Sequence, residues 1–294
     1  MSKCHNCENI VDYYSDNIFT WCTNCGNYGI FTAVKRALVV EEIKPRDVFM
    51  CFDIGCHGNG SDKIEGYRFH GLHGRVIPFA AGASVANRKV KVIGFGGDGG
   101  TLSEGINHLV HAVRANYNMT FILHNNENYG LTTGQASSTT RKGVKMNSSP
   151  EGVLVEPINV MDFVLSLKPS FAARAFSGNV KHMTEVIQAG LKHKGFAFIE
   201  IFQNCPSYNH ETPHEWYQER VYNINEVTGY DITDLTGAKE VASDLVNHIA
   251  VGTLYKNEDI QDFYSLQPSR IGKETELVDE VKNYDVEDLI SKFR

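Results

Sequence analysis

Short runs of β-branched and aromatic residues alternate along this chain with segments of helical periodicity. The clearest runs lie at 48–53, 90–95, 120–124 and 196–202, with a weaker one at 171–176. Helical spacing occupies 30–43, 103–117, 160–167 and 182–194. Several of the strand-like runs are apolar throughout, as in parallel strands that are covered on both faces. The alternation predicts an α/β fold: an open, mostly parallel sheet with helices on both faces and right-handed crossovers.

The predicted sheet divides the 294-residue chain into three parts. Residues 1–19 form an N-terminal extension with a CxxC pair, and 20–215 contain the strands and helices. The strand pattern fades after about residue 210, so we expect 216–294 to form a C-terminal tail that docks a partner. Residues 126–157 are a long polar stretch inside the predicted domain, and a loop of that length is usually functional or disordered.

Charge and hydropathy exclude several classes of function. The net charge is −7 and no long basic run is present, which argues against nucleic-acid binding. No segment approaches the roughly 18 consecutive apolar residues of a membrane span. The first residues contain no apolar stretch of a secretory signal, so a cytoplasmic location is expected.

The segment 92–104 carries the clearest chemical signal. A strand runs into a glycine-rich turn around Asp98, and Thr101 and Glu104 have the spacing of a capping box, which predicts a helix start there. Free N–H groups at such a start suit a phosphate. The next strand ends at Asn126, and neighbouring parallel strands end on the same edge of the sheet. A carboxylate, an amide oxygen and a backbone carbonyl there would suit Mg²⁺ bridging a diphosphate.

A nicotinamide dinucleotide site is the competing interpretation of the same glycines. Residues 94–99 contain G-x-G-x-x-G after a strand. In that fingerprint the third glycine lies inside the helix and the next strand ends in an acidic residue. Here Gly99 precedes the predicted cap and the next strand ends in asparagines, so this interpretation is disfavoured.

Two CxxC pairs among seven cysteines indicate metal or cluster binding rather than a disulfide framework. Cys4 and Cys7 are followed after fourteen residues by a second pair, which is close to zinc-ribbon spacing. Against a ribbon, residues 21–29 run directly into the first predicted helix. Two further cysteines follow predicted strands on the edge that holds Asp98. A [4Fe–4S] cluster would then have four thiolates, from Cys22, Cys25, Cys56 and Cys205.

The chain is similar to the thiamine diphosphate-binding β subunit of 2-oxoacid:ferredoxin oxidoreductases, most closely to the 2-oxoglutarate branch. The resemblance covers about residues 20–225, through the segments 21–30, 54–56, 69–87, 97–116, 125–135, 173–179, 193–200 and 204–209. It implies the thiamine diphosphate-binding fold in its diphosphate-binding form. It also implies one Mg²⁺–thiamine diphosphate and one [4Fe–4S] cluster in this subunit.

The resemblance assigns site residues by position. The cluster ligands it implies are Cys22, Cys25, Cys56 and Cys205. The Mg²⁺ ligands it implies are Asp98, Asn126 and the backbone carbonyl of Asn128. The cofactor contacts it implies are Ile54, Gly55, Cys56, His57, His73, Gly97, Gly99, Gly100, Gly130 and Leu131. Cys51 lies inside a strand and is expected to be a core residue.

The activity that the resemblance implies is oxidative decarboxylation of a 2-oxo acid to acyl-CoA and CO₂, and the expected substrate is 2-oxoglutarate. Electrons pass through the cluster to ferredoxin. The glutamate that activates the cofactor comes from a partner α chain, so this chain is expected to act only in an (αβ)₂ or larger heteromer. No catalytic residue is assigned within the chain itself.

Three positions depart from the family pattern. Relatives usually have an acidic residue where Gly100 stands and a small hydroxyl residue at His57. Thr133 stands where the 2-oxoglutarate branch often has Lys and pyruvate enzymes tend to have Gly. Three alternatives therefore stay open: a pyruvate or branched-chain 2-oxo acid enzyme, a non-oxidative thiamine diphosphate enzyme with structural metal at the cysteines, and a non-catalytic iron–sulfur scaffold. The spacing of His108 and His111 favours packing or surface roles.

Overall fold

An eight-stranded sheet forms the centre of the computed structural model, which describes residues 9–281 and 286–293. Cys4 and Cys7 lie outside the described residues. The strands are β1 Val48–Phe52, β2 Tyr67–His70, β3 Lys91–Gly97, β4 Met119–Asn125, β5 Phe171–Phe176, β6 Phe196–Phe202, β7 Val221–Asn223 and β8 Ile249–Lys256. Their order is β2-β1-β3-β4-β6-β5-β8-β7, and every neighbouring pair is parallel except β5 with β8.

Helices cover both faces of this sheet. They are α1 Asn27–Val40, α2 Val76–Ala86, α3 Ile106–Ala115, α4 Val160–Ser166, α5 Val180–Lys192, α6 His214–Gln218, α7 Leu235–Ser243, α8 Leu277–Val281 and α9 Glu287–Ile290. Helices α1 and α5 pack on one face, and α2, α3, α4 and α7 pack on the other. Successive strand residues point to opposite faces, so Phe121 and Ile122 of β4 are both fully buried, each in a different core.

The five predicted strands are confirmed as β1, β3, β4, β5 and β6, and the four predicted helices as α1, α3, α4 and α5. Strands buried on both faces left an apolar signal that needed no tertiary information. Residues 126–157 contain no helix or strand, only isolated bridges, as the loop prediction stated. In the described ranges, every helix is too short or too polar to cross a bilayer.

The predicted capping box is wrong. After β3 the chain enters a π-helical turn, Gly99–Glu104, and α3 begins only at Ile106. The hydroxyl of Thr101 is buried without a hydrogen-bond partner in the described residues. The Glu104 carboxylate turns away from the backbone, towards the imidazole of His73 at 3.0 Å and the Tyr129 hydroxyl at 3.2 Å.

The expected C-terminal tail is corrected for residues 221–256, which contribute β7, α7 and β8 to the body of the molecule. β8 pairs antiparallel with β5 and is mostly buried. Its apolar pattern is interrupted by Gly252 at φ +119°, and the pairing shifts register between Ala172 and Ala173, as at a β-bulge. Docking of a partner by this part of the chain stays a prediction.

Candidate functional site

A cleft with an empty volume of about 460 Å³ opens at the edge where β1, β3 and β4 end. Parallel strands deliver their carboxyl ends to one edge, where open α/β sheets bind ligands. All ten predicted cofactor contacts line this cleft, together with Asp98, Asn126 and Asn128. The sequence analysis missed four further lining residues: His124, Tyr129, Thr132 and Gln203. His124 and Gln203 lie at strand ends, and this position alone could have suggested them.

Asp98 lies at the centre of the cleft wall and is 1% exposed. Its Oδ2 accepts hydrogen bonds from the hydroxyls of Ser137 at 2.5 Å and Thr139 at 2.7 Å. Its Oδ1 receives only a long contact, 3.4 Å, from the backbone N–H of Asn126. Burial raises the pKa of Asp98 to about 6, although these hydrogen bonds act in the opposite direction. The carboxylate would be stabilised by a cation at Oδ1.

The turn after β4 presents the two asparagines to the same point. Glu127 between them has φ +59°, which is uncommon for a residue with a side chain. Its buried carboxylate pairs with Arg141 at 3.2 Å and accepts the Tyr217 hydroxyl at 3.1 Å. These partners hold the turn. The side-chain oxygen of Asn128 is buried and has no hydrogen-bond partner in the described residues.

Glycines form the floor of the cleft, and at two of them a side chain would collide with a neighbouring ring. A Cβ at Gly99 would lie 2.4 Å from the Tyr129 ring, and one at Gly97 would lie 2.8 Å from His57. A Cβ at Gly130 would lie 3.3 Å from Asn128 Oδ1 and 3.5 Å from the Cys56 sulfur. A ligand can therefore approach the backbone closely at these positions.

Gly100 lies next to the carboxylate of Asp53. A Cβ at this position would lie 2.4 Å from Oδ2 of Asp53, the residue that follows β1. The carboxylate of Asp53 therefore takes up space that a side chain at position 100 would need.

Two buried imidazoles line the inner wall of the cleft. The rings of His57 and His124 lie 5.3 Å apart between centroids, and the Nε2 atom of each has no hydrogen-bond partner in the part of the chain that the structure describes. His124 Nδ1 lies 3.0 Å from Asn27 Oδ1 and 3.3 Å from Gln203 Oε1, two acceptors, so the proton belongs on Nδ1. Burial lowers the pKa of His124 to about 3 and that of His57 well below its usual value. Both rings are neutral.

The four predicted cluster cysteines come together beside the cleft. Cys22 and Cys25 precede α1, Cys56 follows β1 and lines the cleft, and Cys205 follows β6. None of them forms a disulfide. Burial, together with the nearby thiols of the other three cysteines, raises the pKa of Cys56 to about 12.

Polar groups are directed at two of these sulfurs. The Ser207 hydroxyl donates to Cys22 Sγ at 3.0 Å, and the Gln203 amide donates to Cys25 Sγ at 3.5 Å. The Trp21 indole N–H donates to the Cys56 carbonyl at 2.6 Å, which ties the loop before α1 to the loop after β1.

The cysteine sulfurs are not gathered around one ion. Within residues 9–281 and 286–293, no three His, Cys, Asp or Glu side chains lie close enough to hold a single metal. A tetrahedral zinc with sulfurs at about 2.3 Å would bring those sulfurs within about 3.8 Å of one another. Four irons, each binding one thiolate, hold the sulfurs farther apart.

Family models match two consecutive parts of the chain. One described as "Thiamine pyrophosphate enzyme, C-terminal TPP binding domain" matches residues 53–201, which is half of the sequence. A second model, for the C-terminal part of the pyruvate ferredoxin oxidoreductase beta chain, matches residues 205–269. The cleft lining therefore lies within the first match except for Gln203, and β7, α7 and β8 lie within the second.

Similar proteins are known from several organisms. The 2-oxoacid:ferredoxin oxidoreductase subunit beta of Saccharolobus solfataricus is 40% identical over 72% of this chain and 70% of its own length. The 2-oxoglutarate oxidoreductase subunit KorB of Mycobacterium tuberculosis is 37% identical over 67% of this chain and 53% of its own. A solved structure of the 2-oxoglutarate:ferredoxin oxidoreductase from Magnetococcus marinus, with 2-oxoglutarate, coenzyme A and succinyl-CoA bound, matches with a TM-score of 0.86 at 32% identity. That match covers 97% of this chain and 96% of the other.

Proposed function

Because the chain belongs to the β subunits of 2-oxoacid:ferredoxin oxidoreductases, we propose that it binds Mg²⁺–thiamine diphosphate in the cleft and a [4Fe–4S] cluster at the four cysteines. The proposed substrate is 2-oxoglutarate, and the products are succinyl-CoA and CO₂. Two electrons pass through the cluster to ferredoxin, and the thiol proton of coenzyme A is released. The working enzyme is an (αβ)₂ or larger assembly with an α subunit.

The observation that carries the proposal is the charge of the cleft. Its lining contains neither lysine nor arginine in the described part of the chain, yet it contains the buried carboxylate of Asp98. A diphosphate placed there would meet uncompensated negative charge unless a divalent cation came with it. The glycine floor leaves backbone N–H groups open to such an anion. The residues present fit a metal diphosphate better than a diphosphate alone.

The donor set suits Mg²⁺. Asp98 would supply a carboxylate oxygen, Asn126 an amide oxygen and Asn128 its backbone carbonyl, all hard oxygen ligands. His73 lines the same cleft, and its Nδ1 lies 3.0 Å from Glu104 Oε2.

The position of Cys56 supports a cluster next to the cofactor. It is the residue shared by the cysteine group and the cleft lining, so electrons would travel a short distance between the two. The hydrogen bonds from Ser207 and Gln203 to the sulfurs of Cys22 and Cys25 would stabilise thiolates and tune the cluster potential. Free thiols and such a cluster fit a reducing compartment, and we place the protein in the cytoplasm.

Bound thiamine diphosphate supplies the electron sink for loss of CO₂ from a 2-oxo acid. This chain supplies the pocket: a glycine floor, oxygen ligands for the metal, and two neutral imidazoles whose Nε2 atoms are unpaired within the described residues. No glutamate lines the cleft in that part of the chain, which supports the expectation that the α subunit supplies the activating carboxylate.

The choice of 2-oxoglutarate is supported by the relatives whose names or titles contain that substrate. Thr133 is exposed, follows the lining residue Thr132, has φ +77° and offers a hydroxyl but no charge. The second carboxylate of 2-oxoglutarate needs a cation in a partly desolvated pocket. We assign that cation to the α subunit.

The cofactor content is tested on anaerobically prepared chain. About four irons and four sulfides per chain are expected, as a Cys₄-ligated cluster requires. Cys56→Ala should lose this iron, whereas the matched control Cys51→Ala, in the core, should keep it. One zinc per chain in place of iron would contradict the cluster assignment.

The reaction is tested on the complex with the α subunit. Reduction of the cluster by 2-oxoglutarate should require thiamine diphosphate and Mg²⁺. Rates with 2-oxoglutarate, pyruvate and 2-oxoisovalerate then decide the substrate. If pyruvate is preferred by tenfold or more, a difference of about 1.4 kcal/mol in transition-state stabilisation, the assignment of 2-oxoglutarate is wrong.

A further inference from the structure

We infer that Asp53 is a positioning residue of the cofactor cleft: its buried carboxylate holds the loop that carries His73. This inference rests on the proposed function, because it concerns how the cleft receives the diphosphate. Asp53 is not among the lining residues, so it acts through His73 and the glycine turn.

Asp53 is fully buried at the end of β1. Its Oδ1 accepts two backbone N–H groups at 2.8 Å each, from Ile54 on its own loop and from Gly74 on the loop after β2. It therefore joins two loops that line the cleft. Its Oδ2 is buried and has no hydrogen-bond partner in the described residues. Burial raises the pKa of this carboxyl, and the two backbone N–H groups act in the opposite direction.

A carboxylate oxygen at the position of Oδ2 could belong to Asp53 or to an aspartate at position 100. A Cβ at Gly100 would lie 2.4 Å from Oδ2. In an aspartate, the Cβ–Cγ bond of about 1.5 Å and the Cγ–Oδ bond of about 1.2 Å meet at a trigonal angle. The Cβ therefore lies about 2.4 Å from each carboxylate oxygen. An aspartate at position 100 could therefore place an oxygen where Asp53 now places one.

His73 lies beside the same point. Its Nδ1 and Cε1 lie 3.0 Å from the same Cβ point at Gly100, and its Nδ1 lies 3.0 Å from Glu104 Oε2. Glu104 also accepts the Tyr129 hydroxyl. Arg75 donates to the backbone carbonyls of His73 and Glu104 and so fixes the two residues relative to each other. The imidazole lies between two carboxylates and faces a cleft whose described lining has no lysine or arginine.

Three variants test where the carboxylate is needed. Asp53→Asn keeps the shape and the Oδ1 acceptor but removes the charge, and it should weaken Mg²⁺–thiamine diphosphate binding by about 10- to 100-fold, the usual effect of a supporting residue. Gly100→Asp should weaken binding more, because two carboxylates then compete for one point. The exchange Asp53→Gly with Gly100→Asp should restore affinity over Asp53→Gly alone.

The measurement is calorimetry of the complete chain with thiamine diphosphate and Mg²⁺. Asp262→Asn is the matched control: Asp262 is also a buried carboxylate that accepts two backbone N–H groups, but the following residue bonds to Asn116, at the opposite edge of the sheet. It should leave affinity unchanged. If the wild type does not bind the cofactor, the proposed function fails. If the wild type binds and Asp53→Asn binds equally well, or if the exchange gives no recovery, the inference about Asp53 is overturned.

Discussion

Glu200→Gln should strongly destabilise the chain, because it leaves a buried guanidinium without its counter-charge. Arg174 on β5 and Glu200 on β6 are register partners in the centre of the sheet, and their exposures are 0% and 1%. Arg174 Nε donates to Glu200 Oε2 at 2.9 Å, and the other two guanidinium nitrogens have no hydrogen-bond partner in the described residues. Nothing else in those residues forms an ion pair with this charge.

The magnitude follows from the geometry. The charge centre of a guanidinium lies about 1 Å behind its nitrogens, so the two charges are about 4 Å apart, and at an effective dielectric constant of 20 they attract by about 4 kcal/mol. Removing one partner of a buried pair generally costs about 3–5 kcal/mol. We expect a loss in this range for Glu200→Gln. The double change Arg174→Met with Glu200→Met should cost less stability than Arg174→Met alone or Glu200→Met alone, since apolar side chains often replace a buried pair at little cost.

Urea unfolding of the apo chain, followed by the fluorescence of its two tryptophans, measures these free energies. A double-mutant cycle isolates the pair. A loss below about 1 kcal/mol for Glu200→Gln, or a double variant less stable than both single ones, would refute the reasoning, because it would mean that Arg174 is compensated elsewhere.

In the same variants, the affinity for the cofactor should not recover together with the stability. Glu200 Oε1 accepts the Asn125 amide at 2.8 Å, and the Thr139 hydroxyl lies within hydrogen-bond distance of both Asn125 and Asp98. The double methionine variant regains stability but leaves Asn125 without its acceptor. Its affinity for Mg²⁺–thiamine diphosphate should stay about tenfold below that of the wild type.

Three further outcomes are expected. Asp98→Asn should abolish Mg²⁺-dependent thiamine diphosphate binding and keep the fold, and unchanged affinity in calorimetry would exclude it as a ligand. Gly99→Ala should impair binding and cost about 1–3 kcal/mol of stability, because the new Cβ would lie 2.4 Å from the Tyr129 ring, as urea unfolding can check. His193, which lies 2.7 Å from the Ser170 hydroxyl, has its pKa lowered by burial to about 4. The unfolded chain therefore binds a proton between about pH 6.5 and 4 that the folded chain does not, and stability falls as the pH is lowered through this window. His193→Gln should reduce that fall by up to about 3 kcal/mol, and an identical pH dependence would contradict the assignment.

The centre of the sheet could be predicted from sequence because its strands are buried on both faces. β6, for example, is apolar except for Glu200, and its range was predicted to the residue. The edges could not be predicted in the same way. β2 is exposed along its whole length, and β8 contains a glycine at positive φ beside a bulge, so neither shows the expected pattern. Their positions depend on the strands that they pair with.

The candidate site could be predicted in part, from the rule that neighbouring parallel strands end on the same edge of a sheet. Asp98, Asn126 and Cys56 follow strands, and the rule places them on one edge. The rule does not say which neighbouring side chains point into the cleft. The Glu104 side chain was expected to cap a helix but lies beside His73, because the chain makes a π-helical turn before α3. Such a turn has no sequence signal that distinguishes it from an ordinary helix start.

The departure at Gly100 shows why a family pattern has to be compared in space as well as along the chain. The resemblance to the family implies an acidic residue at this position, and the glycine found there, considered along the chain alone, suggests a weakened site. In the structure, Asp53 from another strand places a carboxylate oxygen at the distance that an aspartate at position 100 would require. Glycine at position 100 is then a requirement, since any larger residue would collide with Asp53. The two positions should therefore change together, and an acidic residue introduced at position 100 alone should harm the site that the family pattern would have it repair.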